Sequence, residues 1–155
     1  MKKILFICTG NTCRSSMAEA MARKVISNKK ALDKINVSSA GIYAIPGEKA
    51  SYDAVKVMSE WGIDLTGHEA RQVSLKLIDE ADLILTMTSS HKSHIVSMKP
   101  DAKGKVFTLI EYADGAAGSI SDPFGQPETI YKECSNQLNC YISKAIDRLI
   151  IDMDS

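Results

Sequence analysis

Residues Lys3–Cys8, KILFIC, run apolar without interruption after the lysine. Successive side chains of a strand point to opposite faces. A strand apolar on both faces has to be covered on both, as the inner strands of parallel sheets are. "ADLILTM", Ala81–Met87, has the same character. Around these runs the chain alternates helical and extended patterns. Ser16-x-x-Glu19 reads as a capping box opening a helix through about Asn28, with Met17, Ala20, Met21 and Val25 at helical spacing. Strands are expected at Ile35–Ser39 and Lys105–Leu109, and helices at Ala50–Trp61, Gln72–Asp79 and Ser90–Met98. A long helix is expected from Glu128 to about Ile151, with Tyr131, Cys134, Leu138, Tyr141, Ala145 and Leu149 on one side. This alternation predicts an α/β fold, a three-layer sandwich with a four-stranded parallel sheet flanked by helices. Ile110–Pro127 shows no periodicity, and loops of that length inside compact domains are usually functional or disordered.

With 155 residues the expectation is one domain spanning 1–155. That length can bury roughly 70% of the unfolded surface, a core that needs no staples. Lys plus Arg and Asp plus Glu both total 19, so the formal net charge is zero. Such a balance argues against nucleic acid and membrane surfaces as partners, so any anion site must be local. The N-terminal apolar run is shorter than the roughly 7–15 residues of a signal peptide. No segment approaches the roughly 20 apolar residues of a membrane span. A cytoplasmic protein is expected, in which Cys8, Cys13, Cys134 and Cys140 are reduced, catalytic or merely buried.

The chemistry gathers where the first strand stops. In open α/β sheets ligands bind beyond the carboxyl ends of the strands, and Cys8 sits at such an end. The turn after it enters a helix N-terminus, where backbone N–H groups lack partners and the helix dipole is positive. That is an anion site. Gly10 would let the backbone curl without a Cβ clash. Asn11 tolerates a left-handed conformation and can brace the turn. A tetrahedral dianion suits the ring of N–H groups, with Arg14 as a two-pronged clamp. The same positive field stabilises a thiolate.

Thiolate formation is a minor part of the barrier. A free cysteine is already about 3% ionised at pH 7, so full ionisation gains about thirtyfold. Acceleration of phosphate-monoester hydrolysis can approach ~10²¹. Positioning and charge stabilisation of the transferring phosphoryl group must supply most of it. A leaving group also needs a proton, so a general acid is expected on another loop. Asp122 is the candidate, because Pro123 holds it extended within the long loop. Phe124 beside it could wall the pocket.

"CTGNTCRS" resembles the C-x5-R-[ST] phosphate loop of the low-molecular-weight protein tyrosine phosphatases. "SDPFG" resembles their Asp-Pro general-acid loop, and "SSAGI", "GHEARQVS" and "ADLILTM" follow the family in order. The resemblance covers essentially the whole chain. C-x5-R alone is weak, whereas its position after an N-terminal strand, with Asp-Pro far downstream, is specific. Tyrosine-specific members usually carry a bulky apolar residue where Thr12 stands. "CTGNTCRS" with "DPFG" is most similar to the bacterial protein arginine phosphatases. There the threonine is implied to favour a phosphoguanidinium group over a phenyl ring, with Phe124 stacking on the guanidinium.

The resemblance implies a two-step reaction on phosphorylated proteins, with inorganic phosphate as product and no metal or cofactor. Cys8 attacks phosphorus to form a phosphocysteine. Arg14 and the amides of Thr9, Gly10, Asn11, Thr12, Cys13 and Arg14 hold the phosphoryl oxygens. Asp122 protonates the leaving atom, then activates water. Ser15 hydrogen-bonds the thiolate, while Asn11, Ser39 and His68 brace the loop. Cys13 is implied to form a reversible disulfide with Cys8 under oxidation, which would spare Cys8 from irreversible damage.

The remaining features have plainer readings. His91 and His94 lie i, i+3 on a helix with no carboxylate or cysteine near in sequence, which predicts a solvated face. Cys134 reads as core, and the four cysteines lack zinc-type spacing. A thioredoxin-linked arsenate reductase would need two more cysteines just after the third strand, where "TMTSSHKSHIVSM" has none. A nucleotide-binding loop is excluded by the absence of G-x4-G-K-[ST] or G-x-G-x-x-G after strand one. A non-enzymatic phosphate-binding module remains the alternative outside catalysis.

Overall fold

The computed structural model describes residues 1–155. Strand β1 (Lys2–Cys8) leads into helix α1 (Arg14–Asn28), and β2 (Ile35–Gly41) is followed by α2 (Tyr52–Glu60) and α3 (Leu75–Glu80). Strand β3 (Leu83–Thr86) precedes α4 (Ser89–Met98), and a 3₁₀ turn at Pro100–Lys105 leads to β4 (Val106–Thr108). Helices α5 (Leu109–Asp114) and α6 (Glu128–Asp154) complete the chain. The four strands form one sheet in the order β2-β1-β3-β4, and every pairing is parallel.

The uninterrupted apolar run of β1 is used on both faces, as its composition requires. Ile4, Phe6 and Cys8 join the core against α1 and α6, beside Met17, Met21, Ile26, Leu138 and Ile142. Leu5 and Ile7 point the other way and pack with Ile78 of α3, Ile95 of α4 and Ile84 of β3. The chain winds from β1 outward to β2, then returns to β3 on the other side of β1. That reversal opens a crevice beyond the carboxyl ends of β1 and β3, the usual ligand position in such sheets. No helix is long and apolar enough to cross a membrane.

Two local expectations are corrected. Helix α1 starts at Arg14, not Ser16, and Cys13 at its N-cap provides no side-chain cap. Ser16 Oγ donates instead to the Cys13 carbonyl at 2.8 Å, and Glu19 accepts from Ser39 Oγ at 2.7 Å. The capping-box pair is thus diverted, Ser16 to a local carbonyl and Glu19 to a tertiary bond, leaving the first-turn N–H groups unclaimed by any side chain. The true capping box is Thr108 with Glu111, which opens α5 inside the stretch expected to be irregular. Six residues are too few to display a period, although T-x-x-E was present as a signal. The irregular segment therefore shrinks to Gly115–Pro127.

Candidate active site

Four loops converge above the end of β1. The first is the turn from Thr9 to Cys13. Asn11 at its apex is fully buried and takes the left-handed conformation at φ 59°, as its residue type allows. Gly10 needs no such freedom, because a Cβ there would meet nothing closer than Thr12 Oγ1 at 3.6 Å. The glycine that matters is Gly41, at the end of β2. A Cβ on Gly41 would lie 2.5 Å from the Thr9 carbonyl oxygen and 3.0 Å from the Asn11 nitrogen. The missing side chain lets β2 close against the turn.

Cys8 is 2% exposed, and its Sγ lies 2.8 Å from Ser15 Oγ. The direction of this hydrogen bond follows from its neighbours. Asn11 Nδ2 donates to Ser15 Oγ at 2.8 Å and to Ser39 Oγ at 2.9 Å. Ser39 spends its own hydrogen on the Glu19 carboxylate. Asn11 Oδ1 is held by the Arg71 N–H at 2.9 Å. Ser15 thus receives from Asn11, and its single hydrogen is free for the sulfur. His68 Nε2 lies 2.6 Å from the Asn11 carbonyl oxygen and must be the donor. Ser15, Asn11, Ser39 and His68 are therefore brought together as one bracing network.

Arg14 is 4% exposed. Its Nη1 donates to the Ile120 carbonyl at 2.9 Å, and its Nη2 lies 3.6 Å from Asp122 Oδ2. Its Nε is buried without any partner in the chain. A buried, unpaired guanidinium N–H is costly for stability. The Asp122 loop is anchored rather than loose. Ile120 donates its N–H to the Met87 carbonyl at 2.8 Å, and Pro123 is buried. Asp122 Oδ1 accepts from the Phe124 N–H at 3.0 Å, so Oδ2 faces Arg14.

Together these residues line a cavity of 230 Å³, walled by Cys8, Thr9, Gly10, Thr12, Cys13, Arg14, Glu48, Asp122 and Phe124. Larger depressions exist, such as one of 360 Å³ beside Val55, Ile63 and Leu65, but it is lined by no cysteine and no cationic side chain. Phe124 is 68% exposed, a rim residue rather than an anchor of its loop. Cys13 Sγ donates to Ser51 Oγ at 3.3 Å and lies 3.5 Å from Tyr131 Oη. All four cysteines are free thiols. Burial pushes the Cys134 thiol up to about 12, which suits an inert core residue.

Three residues escaped the sequence reading. Glu48 on the cavity wall carries no motif of its own, and Gly41 below it lies within "SSAGI" but was not singled out. His91, expected on a solvated face, is 8% exposed with Nε2 at 2.9 Å from Thr9 Oγ1. Helical spacing alone could not say which side of α4 the sheet would cover.

The geometry gathers a buried thiol with a hydroxyl at its sulfur, a buried guanidinium and a carboxylate around one cavity. The family described as low molecular weight phosphotyrosine protein phosphatase matches residues 3–152. The chain is 42% identical over 147 residues to the protein-arginine-phosphatase of Geobacillus stearothermophilus, covering 95% of each. It is 44% identical over 135 residues to that of Bacillus subtilis, covering 87% of this chain and 88% of the relative. It superposes at a TM-score of 0.90, with 39% identity over 95% of both chains, on a mutant YwlE arginine phosphatase. In that mutant serine replaces a cysteine, and the active-site serine is phosphorylated.

Proposed function

Because this chain belongs to the low molecular weight phosphotyrosine protein phosphatase family, we propose that it dephosphorylates proteins through Cys8 and that phosphoarginine is its preferred substrate. Cys8 Sγ attacks phosphorus, and the bond from phosphorus to the leaving nitrogen breaks. The electron pair goes to that nitrogen, which takes a proton from Asp122. The phosphocysteine is then attacked by water, whose proton returns to Asp122. The phosphorus–sulfur bond breaks, inorganic phosphate forms, and the departing thiolate is received by the Ser15 hydroxyl. Throughout, Arg14 and the loop amides from Thr9 to Arg14 hold the phosphoryl oxygens. The residues named supply every proton and charge in this cycle.

One observation carries the reading: the ordered chain from Asn11 through Ser15 to Cys8 Sγ, next to the unpaired Nε of buried Arg14. The phosphorylated serine of the YwlE mutant supports a covalent route. For the substrate, Thr12 stands on the cavity wall, and the two relatives above are named for phosphoarginine. A threonine wall offers a hydroxyl to a planar cation, where a branched apolar wall would suit a phenyl ring. Phosphotyrosine is the second reading, favoured by the family's own description. Cys8 and Cys13 both line the cavity, and a reversible disulfide between them, formed when a peroxide takes up the two electrons and two protons and reversed by an external thiol, belongs to the same proposal.

Turnover of phosphoarginine and phosphotyrosine peptides, side by side, is the test. Wild type is expected to favour phosphoarginine. Thr12→Ile is expected to move the kcat/KM ratio toward phosphotyrosine by about tenfold or more, the scale of one or two methyl groups in a tight pocket. An unchanged ratio removes Thr12 as the selector. Asp122→Asn is expected to lower kcat/KM by about 10²–10³ for substrates with poor leaving groups, the usual weight of a general acid. Activated aryl phosphates, which leave without a proton, should lose far less. Equal losses across leaving groups would remove Asp122 from that role.

A further inference from the structure

His91 is a buried titratable side chain beside the cavity that the reaction above does not use. It lies in the first turn of α4, just after β3, 8% exposed. Its Nε2 is 2.9 Å from Thr9 Oγ1, and its Nδ1 is buried without a partner. An imidazole in that place is desolvated and half satisfied, which is unfavourable for stability alone. Ser89, Ser90 and Ser93 on the same helix stay exposed.

The tethers of the phosphate loop show what His91 adds. Asn11 is held by Ser15, Ser39, His68 and the Arg71 N–H. The Thr12 carbonyl accepts from the Ser51 N–H at 2.9 Å, and Cys13 is held by Ser51 and Tyr131. The Thr9 carbonyl accepts from the Tyr43 N–H at 2.9 Å. All of these come from other elements than α4. The Thr9 side chain alone is tied to α4, through His91.

We propose that His91 is a positioning residue of the phosphate loop, fixing the Thr9 hydroxyl from α4 so that the peptide units following Cys8 keep their N–H groups aimed at the bound phosphoryl group. This rests on the loop being the phosphoryl site, as argued above. His91 acts through Thr9 and not as an acid or base. The charged groups facing it are Arg14 of α1, Asp122 of the opposing loop and His94 on its own helix. Burial first, then Arg14, brings its pKa down to about 4, against the upward pull of Asp122. The ring is neutral from pH 5 upward, and a threonine hydroxyl can pair with either tautomer.

The test uses inorganic phosphate as the probe, titrated calorimetrically, with kcat/KM and thermal unfolding measured on the same proteins. His91→Phe, which keeps the ring and loses the hydrogen bond, is expected to weaken phosphate binding by about tenfold, the scale of one well-placed bond. Its kcat/KM should fall in proportion for phosphoarginine and phosphotyrosine alike. His91→Gln, whose amide reaches the Nε2 position, should recover most of the loss. Thr9→Val should match His91→Phe, and the double variant should be no worse than either. The pH profile between 5 and 9 should keep its shape and drop evenly. Phosphate affinity of His91→Phe within twofold of wild type would overturn the proposal. So would equal losses in Phe and Gln variants, or the loss of one limb of the pH profile. Should His91→Phe fail to fold, Thr9→Val decides: unchanged phosphate affinity there overturns the proposal too. If wild type bound phosphate but turned over neither peptide, the proposed function would fail, while the phosphate affinities would still decide the role of His91.

Discussion

Cys8→Ser is expected to lose about 10⁴-fold or more in turnover, as removal of a nucleophile does in other covalent enzymes, while phosphate affinity stays within a few-fold. The physical basis is the leaving and attacking power of sulfur. A free thiol is a few per cent ionised at neutral pH, whereas an alcohol ionises far less readily. The substitution also misplaces the Ser15 contact, which lies 2.8 Å from Cys8 Sγ and is spaced for sulfur. The cradle itself is untouched, since Asn11, Ser39 and His68 keep their bonds to each other and to the backbone. Single-turnover assays with a phosphoarginine peptide, alongside phosphate titration, separate the two effects. Turnover near wild type would move the nucleophile elsewhere. Wild-type binding of phosphate with no turnover in any chain would leave an anion-binding module.

Arg14→Lys is expected to lower kcat/KM by about 10³, within the range measured for arginines that stabilise phosphoryl transfer. The substitution keeps the positive charge and removes the fork, so it tests geometry against field. In Arg14, Nη1 holds the Ile120 carbonyl, Nη2 faces Asp122, and Nε is buried without a partner. An ammonium group cannot hold the Asp122 loop and also present parallel donors to a phosphoryl group. The loss should appear in both phosphate affinity and kcat. Retention of a tenth or more of wild-type activity would show that charge alone suffices and that the loop is held by Pro123 and the Ile120–Met87 bond.

Much of this was legible before any coordinates. The double-sided apolar run of β1 demanded a covered parallel sheet, because no strand can hide both faces otherwise. The capped termini Ser51, Ser74 and Thr88 match helices that were expected nearby, shifted by a few residues. Cys8, Arg14 and Asp122 were singled out by residue type and order, and the structure brings all three to one cavity. What misled was local pattern without tertiary context. Ser16 and Glu19 had the spacing of a capping box, but Ser39 took the carboxylate. His91 was expected on a solvated face because no further metal ligand stands near it in sequence, but α4 turned it inward beside Thr9. Gly10 looked like the permissive glycine, but the close approach falls at Gly41, from a different strand.

The chain's own order of residues determined which groups could do the chemistry and which runs must be buried, since side-chain type and periodicity are local properties. Only the tertiary structure decided how those groups are aimed. The proton on Ser15, the unpaired Nε of Arg14 and the inward face of His91 all depend on partners far away in sequence. A hydrogen bond's direction is set by everything else its donor and acceptor touch. No one-dimensional pattern contains that set, so it appears only when β1, β2, α4 and the Asp122 loop meet at one end of the sheet.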